Sequence, residues 1–275
     1  MTITRCFGCL SALLLTLAAY GQQQRPAAGL AAAAASPETD CYATFTSGSG
    51  ATAFNFCVTA NGNILRLESP AGFEHIRNGI YLEGFTICDQ TLGLRYWDLG
   101  GYAQNGTFLA PTITQPNGLN TLPLTITRST WDNLYTLVQT YSRNVQDRSV
   151  MVTMSLTNND ITFTTPRNVS LWRAADFDID GSFENWGGAT DESAFAWNNV
   201  NASSPVGHGG ALSTLSYATP HTAGVTPFGV GDPACPQFRD VGWPRIDDVV
   251  AYVGHDFTYT RAHQTKVVSV QLHVF

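Results

Sequence analysis

The chain has 275 residues, of which only 13% are Asp, Glu, Lys or Arg, about half the share that is usual in soluble domains. Its 21 acidic and 14 basic residues give a formal net charge of −7, and Lys266 is the only lysine. This balance argues against a nucleic-acid-binding protein, which normally carries a basic surface. It also excludes a charge-rich disordered chain and a long coiled coil.

Residues 1–21 have the features of a cleavable signal peptide. A short basic n-region precedes an apolar run over residues 6–19, and Ala19 and Gly21 have the spacing that signal peptidase prefers. The run is shorter than the roughly 20 apolar residues that span a bilayer, so we expect no transmembrane span in the mature chain. Residues 22–40 are Ala- and Gln-rich, which predicts a flexible tether. The expected location is therefore secreted or periplasmic.

Four cysteines remain after the predicted cleavage: Cys41, Cys57, Cys88 and Cys235. In an oxidising compartment they can form two disulfides, in three possible connectivities. Cys41 and Cys57 flank a Gly/Ser-rich turn and could close a local loop, which would leave Cys88 to pair with Cys235. Buried free thiols are the alternative. The spacing matches no zinc-binding pattern.

Apolar and polar residues alternate with a period of two from Cys41 onward, as in β-strands. Residues 53–59 and 64–68 flank Asn61-Gly62-Asn63, a turn sequence typical of a β-hairpin. In residues 149–157 the alternation puts Val150, Val152, Met154 and Leu156 on one face. Further strands are predicted over residues 79–88, 93–97, 122–128, 134–143, 161–165, 169–174, 249–253 and 266–275.

No stretch of about 11 residues in the mature chain has a helical period. Short strands punctuated by Asn-Gly, Ser-Gly and Pro predict an all-β fold, an antiparallel two-sheet β-sandwich that could be a large super-sandwich. Residues 41–275 are expected to form a single domain.

The segment Asp176–Glu184 is the strongest candidate for a functional site. Asp176, Asp178 and Asp180 alternate, Gly181 allows a tight turn and Glu184 is the ninth residue. Carboxylates in this pattern can converge on a hard cation that prefers six to eight oxygen ligands, so the sequence predicts a calcium site. A solvated acidic turn is the alternative, although close carboxylates repel one another without a cation.

The acidic segment resembles an EF-hand loop only in part, because its twelfth position is Gly187 and not Glu. Its spacing is more similar to the nine-residue calcium loops between strands of integrin-type and other extracellular β proteins. Asp191 could add a ligand if Gly187 and Gly188 fold the chain back.

Trp186 lies beside the acidic segment among Asn and Gly, which predicts an exposed indole that could stack on a sugar. Trp197 alternates with Phe195 on a predicted strand and is expected to be a core residue. Evidence for catalysis is weaker. The sequence has no G-x-S-x-G nucleophile motif to accompany His208. Asp247-Asp248, at a strand start, are expected to be structural or solvated. No catalytic residue is therefore predicted.

Several short segments follow one another in a characteristic order: Asn61-Gly62-Asn63-Ile64, Glu83-Gly84-Phe85, Ser155-Leu156-Thr157-Asn158, Val169-Ser170-Leu171-Trp172-Arg173, Asp180-Gly181 and Lys266–Val270. They resemble segments of uncharacterised secreted bacterial β-sandwich proteins, and the resemblance implies fold and compartment only. A weaker resemblance is to the mutarotase-like sandwich domains of carbohydrate-active enzymes.

These features predict a secreted binding or surface-interaction module with a calcium-organised loop and an extracellular glycan or cell-surface component as its partner. A carbohydrate-active enzyme with its site near the same loop is the first alternative. A structural envelope or matrix protein is the second.

Overall fold

The computed structural model describes residues 40–76, 82–101, 103–104, 106–144, 148–162, 164–198, 208–227, 235 and 245–275. The predicted signal peptide (1–21) and nearly all of the predicted tether (22–40) lie outside these residues. The described residues form eighteen strands and the two short 3-10 turns Gly50–Thr52 and Ile179–Gly181. In chain order the strands are β1 (Ala43–Ser47), β2 (Phe54–Val58), β3 (Ile64–Glu68), β4 (Glu83–Asp89), β5 (Leu94–Leu99), β6 (Ala103–Gln104), β7 (Thr112–Thr114), β8 (Leu124–Ser129), β9 (Tyr135–Asn144), β10 (Ser149–Asn158), β11 (Arg167–Asp176), β12 (Asn185–Ala189), β13 (Ser193–Trp197), β14 (Gly209–Thr214), β15 (His221–Pro227), β16 (Arg245–Asp247), β17 (Val249–Tyr259) and β18 (Thr265–Val274).

The strands form three antiparallel sheets. The largest has the order β16-β12-β13-β14-β18-β10-β9-β8-β7, and the second has the order β15-β17-β11-β4-β5-β6. A small sheet, β1-β2-β3, contributes residues such as Phe54 and Phe56 to the same hydrophobic core as the two large sheets. The prediction of an antiparallel β-sandwich is confirmed.

The core lies between the sheets and follows the alternation of the sequence. On β10, Val150, Val152, Met154 and Leu156 are all fully buried, as predicted. The central strands of the six-stranded sheet are buried on both faces, because a second apolar cluster lies on the side away from the main core. That cluster contains Leu82, Cys88, Leu99, Trp172, Ala174, Val250 and Tyr252.

Two disulfides link the four cysteines. Cys41 pairs with Cys57 across the β1–β2 hairpin, with 5.5 Å between their Cα atoms. Cys88 on β4 pairs with Cys235, with a Cα–Cα distance of 5.6 Å. The expected pairing is therefore confirmed, and two disulfides fit an oxidising compartment.

A fully buried ion pair fixes the β2–β3 hairpin to the core. Nε and Nη2 of Arg173 donate to the two carboxylate oxygens of Glu83, at 2.6 and 2.8 Å. Nη1 donates to Oε1 of Gln139 at 2.6 Å, and Nη2 donates to the carbonyl of Gly62 at 3.2 Å. Glu83 also accepts the backbone N–H of Ile64. The turn predicted at Asn61-Gly62-Asn63 is thus confirmed, and all three of its residues are buried.

Some predicted elements differ from the structure. Residues 161–165 were expected to form a strand, yet those that are described lie in the connection between β10 and β11. The backbone N–H of Thr162 donates to the carboxylate of Asp160 and so continues the turn, and Ile161 is exposed. Within the described part of the chain, no helix is long and apolar enough to cross a membrane.

Candidate metal centre and aromatic platform

An acidic cluster forms where the chain leaves β11. Asp176 is the last residue of β11, Asp178 lies two residues further along the chain, and Asp248 immediately precedes β17. Because β11 and β17 pair along their length, with Asp176 opposite Val250, these acids meet although they are far apart in the chain. One oxygen from each of the three carboxylates lies within 4.8 Å of the other two.

The apolar residues between the acids hold the backbone in place. Phe177 and Ile179 are fully buried in the main core. The N–H of Gly181 donates to the carbonyl of Asp178 at 2.8 Å, which closes the turn. Nδ2 of Asn185 donates to the carbonyl of Phe177 at 2.8 Å, so the start of β12 is tied to the same turn. The alternating sequence therefore packs Phe177 and Ile179 in the core and brings Asp176 and Asp178 to the cluster.

The carboxyl group of Asp176 is in an unfavourable setting for a lone anion. Its side chain is only 2% exposed, and Oδ1 has no hydrogen-bond partner. Burial raises the pKa of Asp176 to about 9, and Asp178 and Asp248 push it in the same direction. The Asp176 side chain also hydrogen-bonds to that of Asp248, which raises the pKa further. Ionised Asp176 is therefore costly here, and a bound cation would stabilise the ionised form.

The other residues of the predicted site lie elsewhere. Asp180 has a positive φ of 56° and interacts with His208 and Asn198 instead of the cluster. Glu184 is exposed, ahead of β12. Gly187 and Gly188 belong to β12 and do not fold back, so Asp191 lies in the exposed turn between β12 and β13. Of the four predicted ligands, the structure brings together Asp176 and Asp178.

Two histidines lie near Asp180. Nδ1 of His208 is 2.8 Å from Oδ1 of Asp180. The rings of His208 and His75 lie edge to face, with their centroids 6.1 Å apart. His75 is fully buried, its Nε2 lies 2.9 Å from the carbonyl of Ser69, and its Nδ1 has no hydrogen-bond partner. Burial lowers the pKa of His75, which favours the neutral imidazole.

An aromatic platform lies on the outer face of the nine-stranded sheet, and we define it as Trp186, Phe195 and Trp197. Trp186 and Trp197 are directly opposite each other in β12 and β13, with ring centroids 6.2 Å apart and an interplanar angle of 16°. The Phe195 centroid is 5.6 Å from that of Trp197. All three side chains are half-buried. The Phe275 ring extends the aromatic surface, since it covers Gly209, the residue opposite Trp197.

The prediction that Trp197 is a core residue is wrong. The alternation was recognised correctly, but the core-facing residues of β13 are the small Ala194 and Ala196, both fully buried. Trp197 and Phe195 point the other way, beside Trp186. Size alone therefore does not decide which side of a strand faces the core.

The sequence matches no family model and no curated protein. Among solved structures, a bacterial glucoamylase determined with acarbose superimposes with a TM-score of 0.60 at 12% identity, over 86% of this chain and 32% of that one. The chain thus spans about a third of the glucoamylase. This likeness shows a shared β-sandwich fold.

Two further solved structures match over most of this chain with lower scores. One is a galactose mutarotase-related enzyme from Lactobacillus acidophilus, with a TM-score of 0.41 at 8% identity, over 84% of this chain and 97% of that one. The other is a polysaccharide lyase, with a TM-score of 0.43 at 9% identity, over 83% and 33% of the two chains. Mutarotase-like proteins are thus among the structural matches.

Sequence reasoning missed Asp248 because no local signal marks it. The sequence alone predicts that Asp247-Asp248 is a structural or solvated pair at a strand start. Only the pairing of β17 with β11 places Asp248 beside Asp176, and that pairing is a long-range property of the sheet.

Proposed function

We propose that this chain is an exported carbohydrate-binding β-sandwich whose ligand stacks on the aromatic platform. The observation that carries the proposal is the parallel, partly exposed pair of indoles, Trp186 and Trp197, on the outer face of a sheet. Sugar rings have apolar faces that pack on indoles and polar edges that need hydrogen-bond partners. Asp191, in the turn of the same hairpin, can accept hydrogen bonds from sugar hydroxyls.

Two further observations support this function. The fold is shared with part of a glucoamylase, a protein that was solved with the ligand acarbose. The two disulfides fit export, which the predicted signal peptide would direct. An exported sandwich with an aromatic surface is well placed to meet extracellular glycans.

Replacing an indole of the platform tests the proposal. Trp197→Ala removes the central ring, so we expect at least about a tenfold loss of affinity, or about 1.4 kcal/mol, for any glycan that binds the wild type. An array of neutral and acidic oligosaccharides identifies the ligand, and isothermal titration then measures its affinity. Trp131→Ala, which removes a half-exposed indole in the β8–β9 turn, is the matched control. Equal binding by Trp197→Ala and wild type would overturn the proposal.

We also propose that the acidic cluster binds calcium through Asp176, Asp178 and Asp248. Three carboxylates with converging oxygens provide the hard ligands that Ca²⁺ prefers, and backbone carbonyls and water can complete six to eight positions. The solvent-shielded Oδ1 of Asp176, which lacks a hydrogen-bond partner, is the second observation that supports a cation. In this function calcium stabilises the turn that leads into β12 and its Trp186.

Calcium binding can be tested by thermal unfolding with CaCl2 and with EDTA. We expect calcium to raise the Tm of the wild type because it binds only the folded chain. Asp248→Asn should abolish this increase, whereas Glu184→Ala should keep it because Glu184 is exposed and outside the cluster. If calcium does not change the Tm of the wild type, the proposed calcium site is wrong. If the calcium-dependent increase in Tm is lost in Glu184→Ala but kept in Asp248→Asn, the ligands predicted from the sequence are supported instead.

The second candidate function is a carbohydrate-active enzyme. It is favoured by the contact between Asp180 and His208, since a carboxylate that orients an imidazole is a common arrangement for general acid–base chemistry. Release of reducing sugar by the wild type, lost in His208→Ala, would favour the enzyme. Glycan binding without any turnover would favour the binding module.

A further inference from the structure

The outer face of the nine-stranded sheet has an unusual composition beyond the aromatic platform. On β7, β8, β9, β10 and β18 the outward-facing side chains are mostly Ser and Thr, and none is Asp, Glu, Lys or Arg. We call this surface the hydroxyl face. Its residues are Thr112, Thr114, Thr125, Thr127, Ser129, Thr136, Val138, Thr140, Ser142, Met151, Thr153, Ser155, Thr157, Thr265, Val267, Ser269, Gln271 and His273.

Hydroxyl groups on neighbouring strands of this face bond to each other. Oγ1 of Thr153 is 2.9 Å from Oγ of Ser269, and Oγ1 of Thr157 is 2.8 Å from Oγ1 of Thr265. Each bond fixes two side chains, yet every hydroxyl retains capacity to accept or donate once more. Strand spacing sets these hydroxyls in rows roughly 4.8 Å apart. The face is therefore a regular, pre-ordered array of hydrogen-bonding groups.

The hydroxyl face continues directly into the aromatic platform. Cross-strand pairing runs from Phe195 on β13 through Ala211 on β14 to His273 on β18. The neighbouring row joins Ser193, Ser213 and Gln271, and the Ser193 and Ser213 hydroxyls bond at 2.7 Å. A ligand that stacks on the platform can thus extend across the hydroxyl face without crossing a charged side chain.

The absence of charge on the hydroxyl face restricts the ligand. A polyanion needs Lys or Arg for affinity, and a polycation needs Asp or Glu, so neither finds a partner there. Hydroxyl groups also cost far less to remove from water than charged groups do. The chain has a net charge of −7, yet none of its acidic side chains lies on the hydroxyl face.

From these observations we infer that the hydroxyl face and the platform together bind an extended neutral polysaccharide. The regular hydroxyls of such a polymer match the hydroxyl array, and its apolar ring faces match the indoles. This inference rests on the proposed glycan binding and specifies the class of glycan.

The test measures depletion of the full-length mature protein from solution by insoluble polysaccharides. Microcrystalline cellulose and chitin are the neutral probes, and cross-linked polygalacturonate and chitosan are the charged ones. We expect retention on at least one neutral probe, little on the charged ones, and no change between 50 and 500 mM NaCl, because no ion pair forms. Preference for a charged probe, or retention that salt abolishes, would overturn the inference.

Charge insertion tests the hydroxyl face separately from the platform. Thr153→Lys and Thr153→Glu place opposite charges at the centre of β10, and both should weaken retention at least about tenfold because the ion must lose its water. Thr258→Lys is the matched control, an exposed strand threonine of the six-stranded sheet. If a Thr153 variant unfolds, Thr127→Lys on β8 replaces it.

The outcomes separate the two proposals. If Trp197→Ala loses binding while both Thr153 variants bind normally, the glycan-binding function stands and the hydroxyl face is not part of the site. If the wild type binds no glycan at all, both proposals fail. If sedimentation velocity instead finds a wild-type dimer that Thr153→Lys converts to monomer, the face is an interface between two copies and the inference is overturned.

Discussion

Arg173 and Glu83 place two opposite charges where no water reaches them. Both side chains are fully buried, and Arg173 also donates to Gln139 and to the carbonyl of Gly62. Burial raises the pKa of Glu83, and the charge and hydrogen bonds of Arg173 oppose that shift. An apolar pair of similar size could fill the space, but it would take the carboxylate away from the Ile64 N–H and leave the Gly62 carbonyl with the Tyr141 hydroxyl as its remaining donor. The ion pair therefore serves the hairpin as much as the core.

Removing both partners of this pair should cost far less than the sum of the two single removals. Arg173→Met leaves a buried carboxylate without a counter-charge, and Glu83→Gln leaves a buried guanidinium without one, so each should cost about 3–5 kcal/mol. The double variant buries no isolated charge, and we expect its loss to be well below the sum of the single losses. Urea unfolding at pH 7 measures all three free energies of unfolding.

A surface pair provides the control for this cycle. Arg66 and Glu68 approach to 3.6 Å, but the Arg66 side chain is 37% exposed. Arg66→Met should therefore change the free energy of unfolding by less than about 1 kcal/mol. Additive losses in the Arg173 and Glu83 cycle would mean that the two side chains are not coupled.

At the scale of elements, the sequence predicts best the strands whose alternation is long and regular. β10 and β18 each have ten residues, and every second one is buried from Val150 onward in β10 and from Val268 onward in β18, so their faces follow from a period of two. β13 and β14 are short and rich in Ala and Gly, and their core-facing residues provide little hydrophobic contrast. Their orientation becomes clear only from the sheet that surrounds them.

Sheet order explains why the candidate site could be predicted only in part. Asp176 and Asp178 are close in the chain, so their local pattern was sufficient to single them out. Asp248 and Trp197 join their clusters through pairing of β17 with β11 and of β13 with β12. The pairing of β17 with β11 joins distant segments, which a local pattern does not encode. The β12–β13 hairpin is local, but which of its faces points to the core depends on the sheet around it. The hydroxyl face follows from sheet order in the same way.

For the whole molecule, stability depends on how the two large sheets pack. Several polar contacts join the sheets, and one of them is made by a histidine. His255 on β17 is fully buried, and its Nε2 lies 2.8 Å from Oγ1 of Thr214 on β14, in the opposite sheet. Burial lowers the pKa of His255 to about 4, and the neighbouring His221 adds to the shift. The folded protein thus keeps this imidazole neutral at a pH where an unfolded chain protonates it.

This shift predicts a loss of stability in mild acid. The pKa of a histidine in the unfolded chain is about 6.5, so the contribution of His255 is complete above that pH and is lost as the pH falls towards 4. At pH 4.5 the loss should be about 2–3 kcal/mol relative to pH 7.5. Carboxylates also titrate in this range, so the effect must be measured as a difference between variants.

His255→Gln isolates the contribution of this one imidazole. Glutamine retains a polar group near Thr214 but takes up no proton, so the variant should lose about 2–3 kcal/mol less than the wild type between pH 7.5 and pH 4.5. His263→Gln, in the exposed turn before β18, should follow the wild type. Urea unfolding at the two pH values gives the comparison. If His255→Gln and the wild type lose the same free energy of unfolding between the two pH values, protonation of His255 does not destabilise the fold. The acid sensitivity must then come from the carboxylates.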